Sequence, residues 1–440
     1  MAKAQANPAS EMVTMSPSQI VVLMNAARNA GESLMIWGPP GIGKSQVVQQ
    51  FAQSEYPIRS ENEEVLARMR LEVENNVGTT QQEIDKLESK LLDQDTSFID
   101  VRLSQMEPSD LRGIPVPFSY YVDAEGNQVA ASDFGKPGVV EKKEVVWAPV
   151  ALLNLPEDWK GCIMFDELNS AMPIVQAAAY QIFLDRCIGE HKIPDGAFIV
   201  AAGNREGDGG VTFTLATPLK DRMMHAEMKA SVDDWFAWAL NNRVLPDVMT
   251  FIKHNPKHFN TLCPRDPSPV GGSSPRSWVS VSNVLKANPH LDQKEHKKVL
   301  KAMIAGRVSL GVATEFMTYR SMTSKLPAPG DILDGKVTDV RAENYDMAQS
   351  YALGTNLVYA VLDLFEERAK GDVPVATWGK KASNFLEFLD VNFGTNQKEL
   401  VIMCVKTCLN NRCMFKPKEV PYYIKFAQNH KDLILKARDV

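Results

Sequence analysis

Excess positive charge is missing from this chain: 48 lysines and arginines stand against 54 aspartates and glutamates, a net charge of −6. That balance argues against a basic nucleic-acid footprint spread over the molecule. No apolar h-region stands near the start, so no secretory leader is expected, and no apolar run is long enough to cross a bilayer. Cysteine is scarce. The six (Cys162, Cys187, Cys263, Cys404, Cys408 and Cys413) are scattered, mostly in apolar segments, the pattern of reduced, buried thiols in a cytoplasmic protein. Cys404, Cys408 and Cys413 lack a fourth ligand at a metal-site spacing and are expected to pack on a C-terminal helix. No internal repeat is visible. The rest is an ordinary globular composition, 44% hydrophobic and 23% charged over 440 residues, with room for two or three domains.

What is present is a phosphate-loop pattern, GxxxxGK[ST], at Gly38, Pro39, Pro40, Gly41, Ile42, Gly43, Lys44 and Ser45. The apolar run 33–37 before it reads as a buried strand. From Gln46 onward, Val47, Val48 and Phe51 recur at helical spacing. Strand, glycine loop and helix in that order suit a phosphate for a physical reason. Glycines let backbone N–H groups curl around phosphate oxygens, and the helix start adds unpaired N–H groups and the positive end of its dipole. Lys44 supplies a point charge and Ser45 a hydroxyl for Mg²⁺.

Residues 1–15 read as a frayed, polar start. Ser16 is a candidate N-cap, with Pro17 in the first turn of a helix that Gly31 stops. The segment 58–95 is charged, mostly acidic, and carries Ile84, Leu87 and Leu91 as a helical stripe. It predicts an inserted helical hairpin, either a solvated decoration or a docking surface. A second strand falls at 97–103, a turn-rich loop at 107–115 and an extended hairpin at 118–147. Phe118, Tyr120 and Tyr121 either grip another chain or pack on the body. Buried strands come next at 161–167 and 197–204, then a short helix at 218–222 and a strand at 225–228. Near-continuous apolar strands alternating with helices describe an α/β fold, a parallel sheet covered on both faces. After Ser231 the pattern turns helical, over 232–242, 246–254, 275–287, 295–305 and 312–322. A Pro/Gly break at 326–330 precedes helices at 347–369, 384–391, 400–410 and 421–430.

Nucleotide hydrolysis needs more than a phosphate loop. Asp166 and Glu167 end an apolar strand: the first is placed to hold Mg²⁺, the second, pointing differently, to polarise water. Asn204 closes the next buried strand, where an amide would hold the water or a phosphate. Arg222 precedes the last sheet strand and Arg276 opens a helix. Guanidinium groups there suit a spread-out phosphoryl charge.

As an ordered set these residues resemble the AAA+ superfamily, and within it the MoxR-type ATPases, the group that includes the rubisco-activating chaperones. Gly38 to Ser45 match Walker A, Cys162 to Asn169 (CIMFDELN) Walker B, Ala202 to Arg205 sensor 1, 218–222 the finger segment, and Ser274, Pro275 and Arg276 sensor 2. The likeness runs from about Ser16 to Leu285. It implies an AAA+ P-loop fold with a five-stranded parallel sheet, a helical lid and further C-terminal helices. Its domain plan would be a nucleotide-binding domain at 1–230 with insertions at 58–95 and 118–147, a lid at 231–330 and a helical extension at 331–440.

The resemblance further implies ATP and Mg²⁺ as cofactors, with Gly38 to Gln46 around the nucleotide and Ser45 and Asp166 on the metal. Lys44, Glu167, Asn204, Arg222 and Arg276 would be catalytic, Arg222 as a finger reaching the neighbouring subunit of a ring, usually a hexamer. Arg186 and Arg205 are further candidates for facing that neighbour. Partners would be a remodelled protein and a protein with a von Willebrand factor A domain. No DxSxS metal motif of such a domain occurs here, so it would lie on another chain. The rival expectation is a nucleic-acid motor or loader built on the same core.

Overall fold

The structure, a computed structural model, describes residues 12–56, 97–148, 155–188, 191–263 and 270–430, less 125, 131, 133, 135, 206, 209, 210, 324, 341–344 and 412, together with 69 and 84. The helical hairpin expected over 58–95 lies outside the described residues except at those last two positions, as do Pro149, Gly189 and Glu190. Two compact units divide the chain, Met1–Lys229 and Ala230–Val440.

The first unit is built on a parallel sheet. Its strands are β1 (Thr14–Met15), β2 (Ser33–Trp37), β3 (Phe98–Arg102), β7 (Gly161–Asp166), β10 (Ala197–Gly203) and β11 (Met223–Met228), in the order β1-β11-β2-β10-β7-β3. The sheet therefore has six strands, not the five expected. The extra one is β1, which pairs Thr14 with Glu227 and Met15 with Met228 at the sheet edge. Two residues carry no alternation to read, so the stretch looked like a frayed end. The apolar runs of β7 and β10 are buried along almost their whole length, as a sheet covered on both faces requires.

Each face has its own helices. On one, Val175, Ala179 and Ile182 of the helix Pro173–Asp185 pack with Ile163, Phe165 and Ile199 of the strands. On the other, the helix Lys44–Glu55 buries Val47, Val48 and Phe51, with Phe51 edge-on to Phe198 at 5.9 Å. Complete burial of a ring such as Phe51 stabilises by about 1.5–3 kcal/mol. The helix Pro17–Ala30 starts as its sequence predicts: Ser16 and Gln19 cap one another reciprocally, and Gly31 ends it.

Between β3 and β7 stands a second, antiparallel sheet of β4 (Ile114–Val122), β5 (Gln128–Val129) and β6 (Val140–Ala148). It is longer than the hairpin expected over 118–147, because β4 takes in Ile114–Pro117. The loop expected at 107–115 instead holds a short helix, Pro108–Arg112. Two prolines inside β4 are tolerated because β4 pairs β6 along its length but meets β5 only at Tyr121 and Val122. The connection after the Pro173–Asp185 helix is a small antiparallel pair, β8 (Cys187–Ile188) with β9 (His191–Lys192).

The second unit is helical, with two apolar clusters. One gathers on Phe251, whose ring lies 5.5 Å from Trp278 and 5.2 Å from Phe316. The other centres on Trp378, Phe385 and Leu389 of the helix Val375–Phe393. Cys404 and Cys408, on the helix Lys398–Asn410, are buried in this second cluster together with Cys413. Gly354 lets the helix Met347–Ala369 approach that surface, since a Cβ there would sit 2.8 Å from Leu400 Cδ1 and 3.1 Å from Cys404 Sγ. Among the described residues no helix is long and apolar enough to cross a membrane.

Candidate active site

The strand order sets where a ligand sits. From β2 the chain crosses to the far edge at β3, returns through β7 to β10 beside β2, and then continues to β11 on the other side of β2. The loop leaving β2 therefore opens at the switch point of the sheet, at the carboxyl ends of its strands. The loop Gly38–Gly43 occupies that place. Gly43, at φ 99°, precedes the helix Lys44–Glu55 with no side chain capping it, so the first helical N–H groups are left for an anion.

Lys44 is 8% exposed, and its ammonium donates to Gly38 O at 2.6 Å, Pro39 O at 3.2 Å and Asn204 Oδ1 at 3.1 Å. It thus folds back over its own loop toward the end of β10. Ser45 donates from Oγ to Asp166 Oδ2 at 2.9 Å, while Asp166 Oδ1 accepts the Glu167 N–H at 2.8 Å. A hydroxyl and a carboxylate oxygen at hydrogen-bond distance are a hard-oxygen donor pair, which fits Mg²⁺ with water completing its shell. The loop's free N–H groups and Lys44 likewise fit a polyphosphate.

Glu167 leaves β7 in the left-handed region, at φ 57° and ψ 34°. A non-glycine residue held there is uncommon, and such strain clusters at functional sites. The turn sends its carboxylate away from Asp166, to accept a hydrogen bond from the Ser104 hydroxyl. Asn169, 2% exposed, clamps the backbone of Asn204 from both sides. It donates from Nδ2 to Asn204 O at 2.7 Å and accepts Asn204 N–H at 3.1 Å. Gly203 makes room for it: a Cβ there would lie 2.4 Å from Asn169 Oδ1. Near these groups lies Asp100 on β3, its Oδ1 buried without a partner among the described residues. Burial first, and then the nearby Asp166 charge, push its carboxyl above the usual range.

Five predicted residues, Lys44, Ser45, Asp166, Glu167 and Asn204, thus meet at the ends of β2, β7 and β10. Arg222 does not join them. The parallel register pairs Met223 with Ser33 and Glu227 with Trp37, so Arg222 stands at the amino end of the sheet. Six residue steps along β2 separate its level from Gly38, about 20 Å at 3.3 Å per residue. It is exposed and has no partner among the described residues. Arg276, exposed in the first turn of the helix Pro275–Ala287, belongs to the second unit.

The other two arginines are engaged within their own chain. Arg186 donates to the carbonyls of Pro194 and Ala197, at 3.0 and 2.5 Å. Arg205 makes a forked pair with Asp208, both bonds 2.9 Å, and a second ion pair with the buried Glu227. Sequence reasoning gave no role to Ser104 or Asn169. Asn169 lies inside the quoted Walker B run, where a polar residue directly after the apolar Leu168 was the available signal. Ser104 offered none.

A strand–GxxxxGK[ST]–helix unit at the switch point of a parallel sheet defines a phosphate-loop fold. No protein-family model matches the chain, and no curated protein does either. Among solved structures, the chain is similar to the RuvB Holliday junction branch migration motor of Thermotoga maritima, at 12% identity and a TM-score of 0.30, covering 89% of this chain and 87% of that one. It is also similar to NtrX of Brucella abortus, at 13% identity and a TM-score of 0.27, covering 85% and 68%. Overlaps this loose carry no functional weight.

Proposed function

We propose that this chain is a Mg²⁺- and ATP-dependent hydrolase of the AAA+ superfamily, of the MoxR type, working as a ring, usually a hexamer. It couples turnover to remodelling of a protein partner, with a von Willebrand factor A domain protein as its adaptor. The carrying observation is the split between two groups of residues. Lys44, Ser45, Asp166, Glu167 and Asn204 converge at one end of the sheet, while Arg222, exposed and without a partner among the described residues, stands at the other. One chain cannot bring Arg222 to its own phosphate loop, and a neighbour in a closed ring can.

In this reading Lys44 exchanges its loop carbonyls for phosphate oxygens, and the N–H groups after Gly43 orient them. Ser45 and Asp166 would hold Mg²⁺, which would supply charge neutralisation at the phosphate oxygens. Glu167 accepts a proton from the attacking water, with Ser104 fixing the carboxylate until then. Asn204 holds the water or the γ-phosphate, and Arg222 of the next subunit stabilises the transition-state charge. Partner contact falls to the β4–β6 sheet, where Ile114, Val116 and Phe118 recur on one face and are 65%, 45% and 50% exposed. The acidic segment 58–95 contributes to partner choice.

Glu167→Gln tests the chemistry. ATP should remain bound while phosphate release falls by about 10²–10⁴-fold. Unchanged turnover would remove Glu167 as the base. Turnover stimulated by nucleic acid, with a steep salt dependence, would replace the protein-remodelling part of the reading.

A further inference from the structure

One side chain joins the residue before the phosphate loop to the turn before Arg222. His225, half-buried on β11, accepts at Nδ1 from the indole Nε1–H of Trp37 at 2.9 Å. Its ring also stacks on that indole, with centroids 6.1 Å apart and planes 15° from parallel. Nδ1 is therefore the unprotonated nitrogen, and Nε2–H donates to the Lys220 carbonyl at 2.8 Å. Trp37 is the last residue of β2, joined directly to Gly38 of the phosphate loop. Lys220 ends the short helix Thr217–Lys220, two residues before Arg222. Both ring nitrogens are used, one toward each end of the sheet.

The surroundings make this link specific. Arg222 itself is exposed and unpartnered among the described residues, so nothing on its own side chain fixes its position. Its backbone is held from behind, by Leu219 and Met223 in the apolar core and by the His225 bond to Lys220 O. Trp37 is packed against that same core. The imidazole thus links the Trp37 side chain to the Lys220 turn directly, in addition to the β2–β11 ladder.

We infer that His225 is a positioning residue: it sets where Arg222 stands, and so how well each subunit serves the pocket of its neighbour. The inference rests on the reading of Arg222 as a group acting in trans. It adds that Arg222 placement is tied, through Trp37, to the phosphate loop of the donating subunit.

The experiment is subunit mixing with full-length chains. His225→Ala rings should lose about 10- to 100-fold in kcat, the scale of a misplaced catalytic group, with ATP affinity within about twofold. Mixing His225→Ala subunits with Lys44→Ala subunits should restore turnover, because the latter donate a correctly held Arg222. Mixing Arg222→Ala subunits with Lys44→Ala/His225→Ala subunits should restore far less than mixing with Lys44→Ala alone. His225→Gln, which keeps an acceptor and a donor, should recover part of kcat. If His225→Ala does not assemble, Trp37→Phe removes the indole donor while keeping the ring stack, and should show the same donor-side defect. A defect that tracks the subunit binding ATP, or no defect in either variant, would overturn the inference. Full turnover by Arg222→Ala rings would instead sink the trans reading beneath it.

Discussion

Lys44 and Asn204, 160 residues apart in sequence, meet through a 3.1 Å hydrogen bond from ammonium to amide oxygen. The bond joins the phosphate loop to the end of the neighbouring strand. Asn204→Ala should lower kcat at saturating ATP more than it weakens binding, because Lys44, still held over its loop by the Gly38 and Pro39 carbonyls, stays placed to meet the phosphates. Asn204→Asp should weaken ATP binding, since a carboxylate holds the ammonium away from phosphate. Nucleotide titrations beside phosphate-release assays separate the two effects. Equal loss of binding in both variants would make the amide only a structural tie.

The Ser104 hydroxyl bonded to Glu167 predicts a graded pair. Ser104→Ala should reduce turnover by less than Glu167→Gln does, with ATP binding unchanged, because it loosens the base without removing it. Single-turnover kinetics would show this. A Ser104→Ala loss as deep as that of Glu167→Gln would give the hydroxyl a direct part in the chemistry.

Asn169 makes a prediction on stability as well as activity. Asn169→Ala leaves the Asn204 N–H and carbonyl without these partners in a half-buried place, at up to about 1–3 kcal/mol for each group left unsatisfied. Denaturant unfolding should show a lower midpoint. Turnover should fall with it, since Asn204 loses its fixed position. An unaltered midpoint would mean that water replaces both bonds.

In the second unit, Asp390 accepts from Tyr422 Oη at 2.9 Å and Asn429 Nδ2 at 2.8 Å, and pairs with His430 Nε2 at 2.9 Å. Burial alone pushes this carboxyl up; the three donors outweigh it and hold it below its usual 3.8. A depressed carboxyl contributes stability that is present above 3.8 and lost as pH falls through the lower folded value. Asp390→Ala should destabilise the unit at neutral pH and flatten its acid-unfolding profile below about pH 4. Circular dichroism across that range checks it; identical profiles would show that Asp390 is not coupled to folding.

Much of this site could be read from the chain because its parts carry local signals. Gly43 and Lys44 announce a loop that must turn sharply and end in a helix, and Asp166 closes a run of buried apolar residues. Asn204 was placed by the same logic, from a strand that is buried at every position. The groups that escaped are defined by partners distant in sequence. Ser104 matters through Glu167, 63 residues on, and His225 through Trp37, 188 residues back. No periodicity reports such pairs. The sixth strand escaped for a different reason: Thr14 and Met15 are held by β11, not by any propensity of their own. Arg205, a candidate for facing a neighbouring subunit, pairs with Asp208 and Glu227 of its own chain, the second of them 22 residues on.

The exposed face of β4 gives a prediction about partners. Phe118→Ser should leave basal ATP turnover intact, because the ring is half exposed and stacks on Tyr120 of its own strand, at 6.3 Å. Stimulation of turnover by a protein partner should be lost. Loss of basal turnover would return Phe118 to the ranks of structural strand residues.

A pocket built by Lys44, Ser45, Asp166 and Glu167 and completed by Arg222 of the next subunit is the core of the proposed mechanism. It is tested most directly by mixing Arg222→Ala subunits, which have an intact pocket and no arginine to lend, with Lys44→Ala subunits, which have the reverse. Neither alone should turn over ATP, and mixed rings, verified by native mass spectrometry, should recover part of wild-type turnover. Mixed rings that form and stay inactive would contradict the account, as would a monomer that hydrolyses ATP at full rate.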